Sequence, residues 1–273
     1  SEGGGHMEHL IKVDKGVSLF VKDLGEGTPI VFLHGWPINH EMYEYQSNLF
    51  PQMGFRFVAI DFRGYGKSSA PLTGYDYNTM ADDVRKVIDR LKLKNIILAG
   101  FSMGGAIAIR YMAKHNGHRV RKLALFGACA PSFIQSPNNL KGHTNAEIKK
   151  IHYDLLHNRP LYIESLIKEF FYEKYDHSFK DWFRYLCLTS SSYATISSLM
   201  ALRDERLGED LKTIKVPTAI FHGIHDLICP YEFAEQMHKE IGNSRIITFE
   251  KSGHGLFFDE MDKFNNELLD FIR

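Results

Sequence analysis

Cysteine is scarce in this chain: there are three in 273 residues, Cys129, Cys187 and Cys229. Their number is odd, their spacings are wide, and no C-x-x-C occurs, which argues against a disulfide framework or a zinc site. Charge of one sign is also missing, because 33 Lys and Arg offset 33 Asp and Glu. No broad electrostatic field therefore selects nucleic acid or an anionic membrane as a partner. No apolar run is long enough to span a bilayer, and no N-x-[ST] acceptor occurs. Ser1 to His6 read as an expression remnant before a native start near Met7, and no secretory h-region follows. These absences lead us to expect a soluble, cytoplasmic protein. Its length suits one large α/β domain or two small ones.

What is present is an alternation of short apolar runs with amphipathic stretches, the pattern of a mostly parallel sheet with crossover helices. His9–Val13 and Val17–Asp23 read as an antiparallel pair turning at Lys15–Gly16. Further strands are expected at Pro29–Leu33, Phe55–Asp61, Asn95–Ala99, Val120–Phe126, Pro217–Phe221 and Arg245–Phe249. That makes eight strands, six of them parallel. Helical spacing runs over Glu41–Gln52, Thr79–Leu91, Ser102–Lys114, Tyr231–Ile241 and Phe258–Ile272. Between Pro131 and Asp210 the strand signal stops, and the stretch becomes helical and aromatic, with helices expected around Lys150–Leu156, Tyr162–Tyr172 and Tyr193–Glu205. This insertion is too long for a simple crossover. We read 7–130 with 211–273 as the core and 131–210 as a helical cap, the alternative being a separate small helical domain. About a third of the cap aromatics should line a pocket.

The strand ending at Ala99 runs into Gly100-Phe101-Ser102-Met103-Gly104-Gly105 and a helix. This is G-x-S-x-G in a strand–turn–helix setting. A nucleophile at the tip of so tight a turn needs small neighbours two positions away on either side. The alternative is a serine that merely caps the helix. A serine hydroxyl needs a positioned base, and a histidine is suited to that role. Of 14 histidines, His254 stands out in Gly253-His254-Gly255, a loop after the last strand. Asp226, in His222-Gly223-Ile224-His225-Asp226 after the preceding strand, would orient it. His225 is the competing base. His222 reads as a structural turn residue. His34 should order the loop after the third strand, and Asp61 with Arg63 should form a structural pair.

Acyl transfer also needs two N–H donors aimed at the oxyanion. Met103, after the nucleophile, should supply one. The other should come from Trp36 in His34-Gly35-Trp36-Pro37. His40-Glu41-Met42-Tyr43-Glu44 lacks the second histidine of a metalloprotease motif, so no metal is expected. No P-loop or dinucleotide fingerprint occurs, so no cofactor is expected either.

Together these motifs resemble the α/β-hydrolase superfamily. They are His34-Gly35-Trp36-Pro37, Asp61-Phe62-Arg63-Gly64-Tyr65-Gly66-Lys67-Ser68, Gly100 to Gly105, His222 to Asp226 and Gly253-His254-Gly255. The order Ser102, Asp226, His254 is the superfamily's. Gly35-Trp36-Pro37, Gly74-Tyr75-Asp76-Tyr77 and Gly100 to Gly104 resemble most closely the cofactor-free haloperoxidase (perhydrolase) and arylesterase branch. That resemblance implies an α/β-hydrolase fold and a serine hydrolase of small carboxylic esters. It further implies an acyl-enzyme that peroxide can intercept to give a peracid. Serine rather than aspartate at the elbow sets the chain apart from haloalkane dehalogenases and epoxide hydrolases. A ligand receptor or signalling protein with slow turnover is the rival reading. Neither oligomeric state nor natural substrate follows from the residues.

Overall fold

In a computed structural model that describes residues 5–273, the chain opens with strands β1 (His6–Asp14) and β2 (Val17–Leu24), paired antiparallel. Ile11 and Val13 point inward while Leu10 is exposed, the period-two alternation of a strand with one face covered. His6, placed above with the terminal remnant, pairs with Leu24 and belongs to the sheet. The first four residues of that remnant lie outside the described residues.

β3 (Thr28–Leu33), β4 (Phe55–Ile60), β5 (Ile96–Phe101), β6 (Val120–Phe126), β7 (Thr218–Gly223) and β8 (Ser244–Phe249) complete an eight-stranded sheet. Its order is β1-β2-β4-β3-β5-β6-β7-β8, and β3 to β8 run parallel. Every residue of β5 and β7 is buried. Such continuous apolar strands are the mark of a parallel sheet covered on both faces. The covering helices include α1 (Glu44–Leu49), between short 3-10 turns at His40–Tyr43 and Phe50–Met53. They also include α2 (Tyr77–Arg90) and α3 (Met103–Lys114). Asp76 caps α2 by accepting the Thr79 N–H at 3.0 Å, a side-chain cap that stabilises a helix by roughly 1 kcal/mol.

Between β6 and β7 come five helices: α4 (Asn145–His157), α5 (Arg159–Phe170), α6 (His177–Leu188), α7 (Ser192–Asp204) and α8 (Gly208–Lys212). Sequence spacing pointed to three. The two additions are α6 and α8, and α6 is capped by Asp176, whose carboxylate accepts the Phe179 N–H at 2.8 Å. The helices are tied to the sheet edge by Trp36 Nε1–H to the Thr195 carbonyl at 2.9 Å and by Tyr65 hydroxyl to Ser198 Oγ at 2.8 Å. After α9 (Tyr231–Glu240), the closing stretch divides into α10 (Leu256–Asp259) and α11 (Met261–Ile272). It breaks at Glu260, whose φ of −133° and ψ of 59° are not helical. Among the described residues, no helix is long and apolar enough to cross a membrane.

Parallel strands send their following loops to one edge. The chain reverses its lateral direction between β3 and β5, which puts a crevice there. Ser102 follows β5 and Trp36 follows β3, so both stand at that switch point.

Candidate active site

Ser102 sits between β5 and α3 with φ 55° and ψ −115°, a backbone state costing about 1–3 kcal/mol for a residue with a Cβ. It is held there from both sides. Its N–H donates to the Phe126 carbonyl at 2.9 Å, and its own carbonyl accepts the Cys129 N–H at 3.1 Å. The neighbours are small for a physical reason. A Cβ on Gly100 would collide with the Gly104 carbonyl, and one on Gly104 would meet the His34 carbonyl. The side chain of Ser102 makes no capping bond to α3, which removes the reading of Ser102 as a mere cap.

His254 Nδ1–H donates to Asp226 Oδ2 at 2.7 Å. The second oxygen, Oδ1, accepts N–H groups from Ile228 at 2.9 Å and Cys229 at 2.8 Å. With Nδ1 donating, Nε2 carries the lone pair. That nitrogen bonds to no other protein group among the described residues. Phe101 and Phe170 flank the imidazole, with ring centroids 4.7 and 5.0 Å away. Ser102 Oγ is not hydrogen-bonded to His254 in this state. Its recorded neighbour is Cys229 Sγ, at 4.0 Å. Hydrogen bonds of this kind are often formed only once a ligand is bound.

The other histidines sort themselves by partner. His225 is exposed and stacks on Tyr172 at 4.3 Å, and no hydrogen bond links it to Ser102 or His254. His222 is fully buried, which lowers its pKa and keeps it neutral. Its Nε2–H donates to the Cys229 carbonyl at 2.6 Å and so closes the Asp226 loop. His34 is likewise buried, with its pKa pushed down to about 4. It donates from Nδ1 to the Gly35 carbonyl at 2.9 Å and accepts the Phe62 N–H at Nε2 at 3.0 Å, ordering the Trp36 loop.

That loop lies against the elbow: a Cβ on Gly35 would stand 3.1 Å from Ser102 Cβ. The backbone N–H groups of Trp36 and Met103 donate to no protein group among the described residues, and Met103 opens α3 at its positive dipole end. Ser102 and His254 line a cavity of about 50 Å³ together with Trp36, Cys129 and Phe133. Ile151 from α4, Tyr162, Leu166, Glu169 and Phe170 from α5, and Leu202 from α7 close it from above. Of the cap aromatics Tyr153, Tyr162, Phe170, Phe171, Tyr172, Trp182, Phe183 and Tyr185, Tyr162 and Phe170 line it.

A family model described as alpha/beta hydrolase fold matches residues 28–160, and one described as TAP-like protein matches residues 201–273. The AB hydrolase superfamily protein YisY of Bacillus subtilis is 50% identical over 265 residues, covering 97% of this chain and 99% of that protein. The chain belongs to the α/β-hydrolase superfamily. This hydrolase is also similar to the esterase EaEST of Exiguobacterium antarcticum. That structure superposes with a TM-score of 0.96 at 45% identity and covers 97% of this chain and 99% of its own. The non-heme chloroperoxidase CPO-A1 of Kitasatospora aureofaciens is 31% identical over 94% of this chain and 96% of that protein. The relatives are thus esterases and non-heme haloperoxidases, the branch that the motifs resemble.

One expected pairing is corrected. Asp61 does not pair with Arg63. It accepts the His40 N–H at 2.7 Å, His40 Nδ1–H at 2.8 Å and the Lys67 N–H at 2.9 Å. Burial works against the Asp61 carboxylate, but the His40 hydrogen bond and charge hold its pKa below the ordinary range. Arg63 instead forms a bidentate pair with Asp83 at 2.7 and 2.9 Å. Two residues around Ser102 were not singled out as site residues in the sequence. Cys229 stands 127 positions from Ser102, and burial pushes its thiol pKa well up. His143 donates from Nε2 to the Ile228 carbonyl at 2.7 Å and faces Glu147 through Nδ1 at 2.7 Å. Neither belongs to a motif, and nothing local in the sequence marks them.

Proposed function

We propose that this hydrolase uses Ser102 as nucleophile, His254 as base and Asp226 as its orienting acid to cleave small carboxylic esters. The observation that carries the reading is the Asp226–His254 hydrogen bond at 2.7 Å, with His254 and Ser102 lining one cavity. A rotation of the Ser102 side chain toward Nε2 lets His254 take the hydroxyl proton as Oγ attacks the ester carbonyl. The N–H groups of Trp36 and Met103 receive the oxyanion. His254 then gives its proton to the departing alcohol, and water, activated by the same imidazole, releases the acid.

In the haloperoxidase-like variant of this reaction, hydrogen peroxide replaces water in the last step and leaves as a peracid. The similarity to CPO-A1 and the tryptophan–proline oxyanion loop support it. Residues 131–210 act as the cap that sets acyl size. A cavity as small as about 50 Å³ suits short acyl groups. Three free, buried cysteines suit the cytoplasm, where thiols stay reduced.

Hydrolysis of short p-nitrophenyl esters by wild type and Ser102→Ala, with a fluorophosphonate probe on both, tests the mechanism. Turnover and labelling confined to wild type are expected. Comparable turnover by Ser102→Ala would remove Ser102 from the reaction.

A further inference from the structure

The stretch between α5 and α6 lies directly over the loop that carries His254, and Asp259, the last residue of α10, ties the two together. Its Oδ2 accepts the Gly253 N–H from the His254 loop at 2.9 Å and the Tyr172 N–H from the cap stretch at 2.9 Å. Its Oδ1 accepts the Glu173 N–H at 3.1 Å and the Tyr175 hydroxyl at 2.8 Å. A carboxylate offers about four acceptor positions, and here four donors fill them. Two contacts run beside this tie. The Gly255 N–H donates to the Phe170 carbonyl at 2.9 Å, and the Phe170 ring packs on His254.

Glycines on both sides of His254 leave its backbone poorly restrained by its own sequence. The restraint comes from outside: Glu260 accepts the Lys251 N–H and the Ser252 hydroxyl, and beside it the N–H groups of Gly253 and Gly255 are both held. Both lead to the end of α5, the helix that also presents Tyr162 and Leu166 to the cavity. Asp259 itself does not line that cavity.

We propose that Asp259 is a positioning residue, which holds the His254 imidazole in register with the cavity by binding the His254 loop and the α5–α6 stretch in one carboxylate. The inference rests on His254 being the base. Displacement of a base by an ångström can slow a proton transfer a hundredfold without touching the substrate contacts.

The test is Asp259→Asn, which keeps the shape but replaces one acceptor oxygen by an amide that faces N–H donors. The kcat and KM for p-nitrophenyl acetate are measured per site titrated to completion with a fluorophosphonate, beside wild type and Asp259→Glu. We expect kcat per titrated site to fall ~10-fold or more with KM nearly unchanged, and Asp259→Glu, which keeps the carboxylate, to recover part of the loss. A purely structural role would lower the melting temperature and the number of titratable sites while leaving kcat per site at the wild-type value, and that result overturns the proposal. Tyr175→Phe removes one of the four bonds and disturbs folding less. It should lower kcat per site by about two- to threefold, and an unchanged value overturns the proposal even if Asp259→Asn does not fold. A wild type that neither labels nor turns over would overturn the assignment of the base itself, and this inference with it.

Discussion

Asp226 Oδ2 receives the Nδ1–H of His254 at 2.7 Å while its other oxygen is fastened by the N–H groups of Ile228 and Cys229. The carboxylate is therefore locked from the loop side and cannot rotate to suit a different tautomer. An asparagine at 226 must turn its amide nitrogen either toward Nδ1 or toward two backbone donors. The second choice sets that nitrogen against two N–H donors, so it faces Nδ1 instead, donates to it and moves the ring proton to Nε2, which can then no longer accept. We expect Asp226→Asn to fold with a melting temperature close to wild type and to lose about a thousandfold or more in kcat. Steady-state kinetics beside a thermal melt checks this. A kcat within tenfold of wild type would mean that another group orients His254.

The strained elbow offers a second prediction. The Cβ of an alanine at 100 would meet the backbone carbonyl of Gly104, which is fixed in α3 and cannot swing aside as a side chain would. We expect Gly100→Ala to lose roughly 1–3 kcal/mol of stability and to label poorly with a fluorophosphonate, because relieving the clash moves Ser102 away from His254. Urea midpoints and labelling rates measure the two effects separately. Wild-type labelling at reduced stability would show that the elbow tolerates the shift.

Buried histidines set the direction of the pH dependence of stability. His34 has an ordinary pKa of 6.5 and a folded value of about 4, because burial disfavours its charged form. Between pH 6.5 and about 4 the unfolded chain binds a proton that the folded chain does not. Stability is then complete above the upper limit and falls as pH falls through the window, by about 3 kcal/mol for this residue. Burial of His222 acts in the same sense. Asp61, held below the ordinary carboxylate range, adds a loss at still lower pH. Melting temperatures measured from pH 7.5 to 4.5 should decline steadily, and His34→Asn should show a shallower decline from a lower start. An equal slope in the variant would remove His34 as a cause.

The parts of this molecule that were legible in the sequence are those whose causes are local. Gly100, Gly104 and Gly105 announce the elbow because the turn itself excludes side chains. Asp226 and His254 announce themselves by standing just after β7 and β8, where a parallel sheet exposes its loops. The central parallel strands could be read because a strand buried on both faces is largely apolar, and β1 because its covered face alternates with an exposed one. What stayed hidden depends on tertiary placement. Asp61 could pair with any nearby cation, and only the folded chain brings His40 to it in place of Arg63. Helix α6 follows an irregular stretch, Phe171 to Asp176, whose aromatics blurred the boundary with α5. The closing helix breaks at Glu260, where the carboxylate accepts the Lys251 N–H at 3.1 Å, a pull from the His254 loop that helical periodicity does not register.

The acyl preference should answer to α5. Leu166 is 6% exposed and faces the cavity that Ser102 lines. Truncation to alanine removes three carbons from the cavity wall and leaves Ser102, Asp226, His254 and Trp36 in place. The structural cost should fall near the low end of the 2–5 kcal/mol typical of buried leucines, because the vacated space joins an existing opening rather than forming a closed void. Each methylene accommodated in an apolar pocket is worth about 1–3 kcal/mol in discrimination. The ratio of kcat/KM for p-nitrophenyl butyrate over acetate should therefore rise tenfold or more in Leu166→Ala, mainly through the longer ester. If the ratio stays at the wild-type value, the acyl group lies elsewhere, toward Phe133 and Ile228, and α5 covers the alcohol instead.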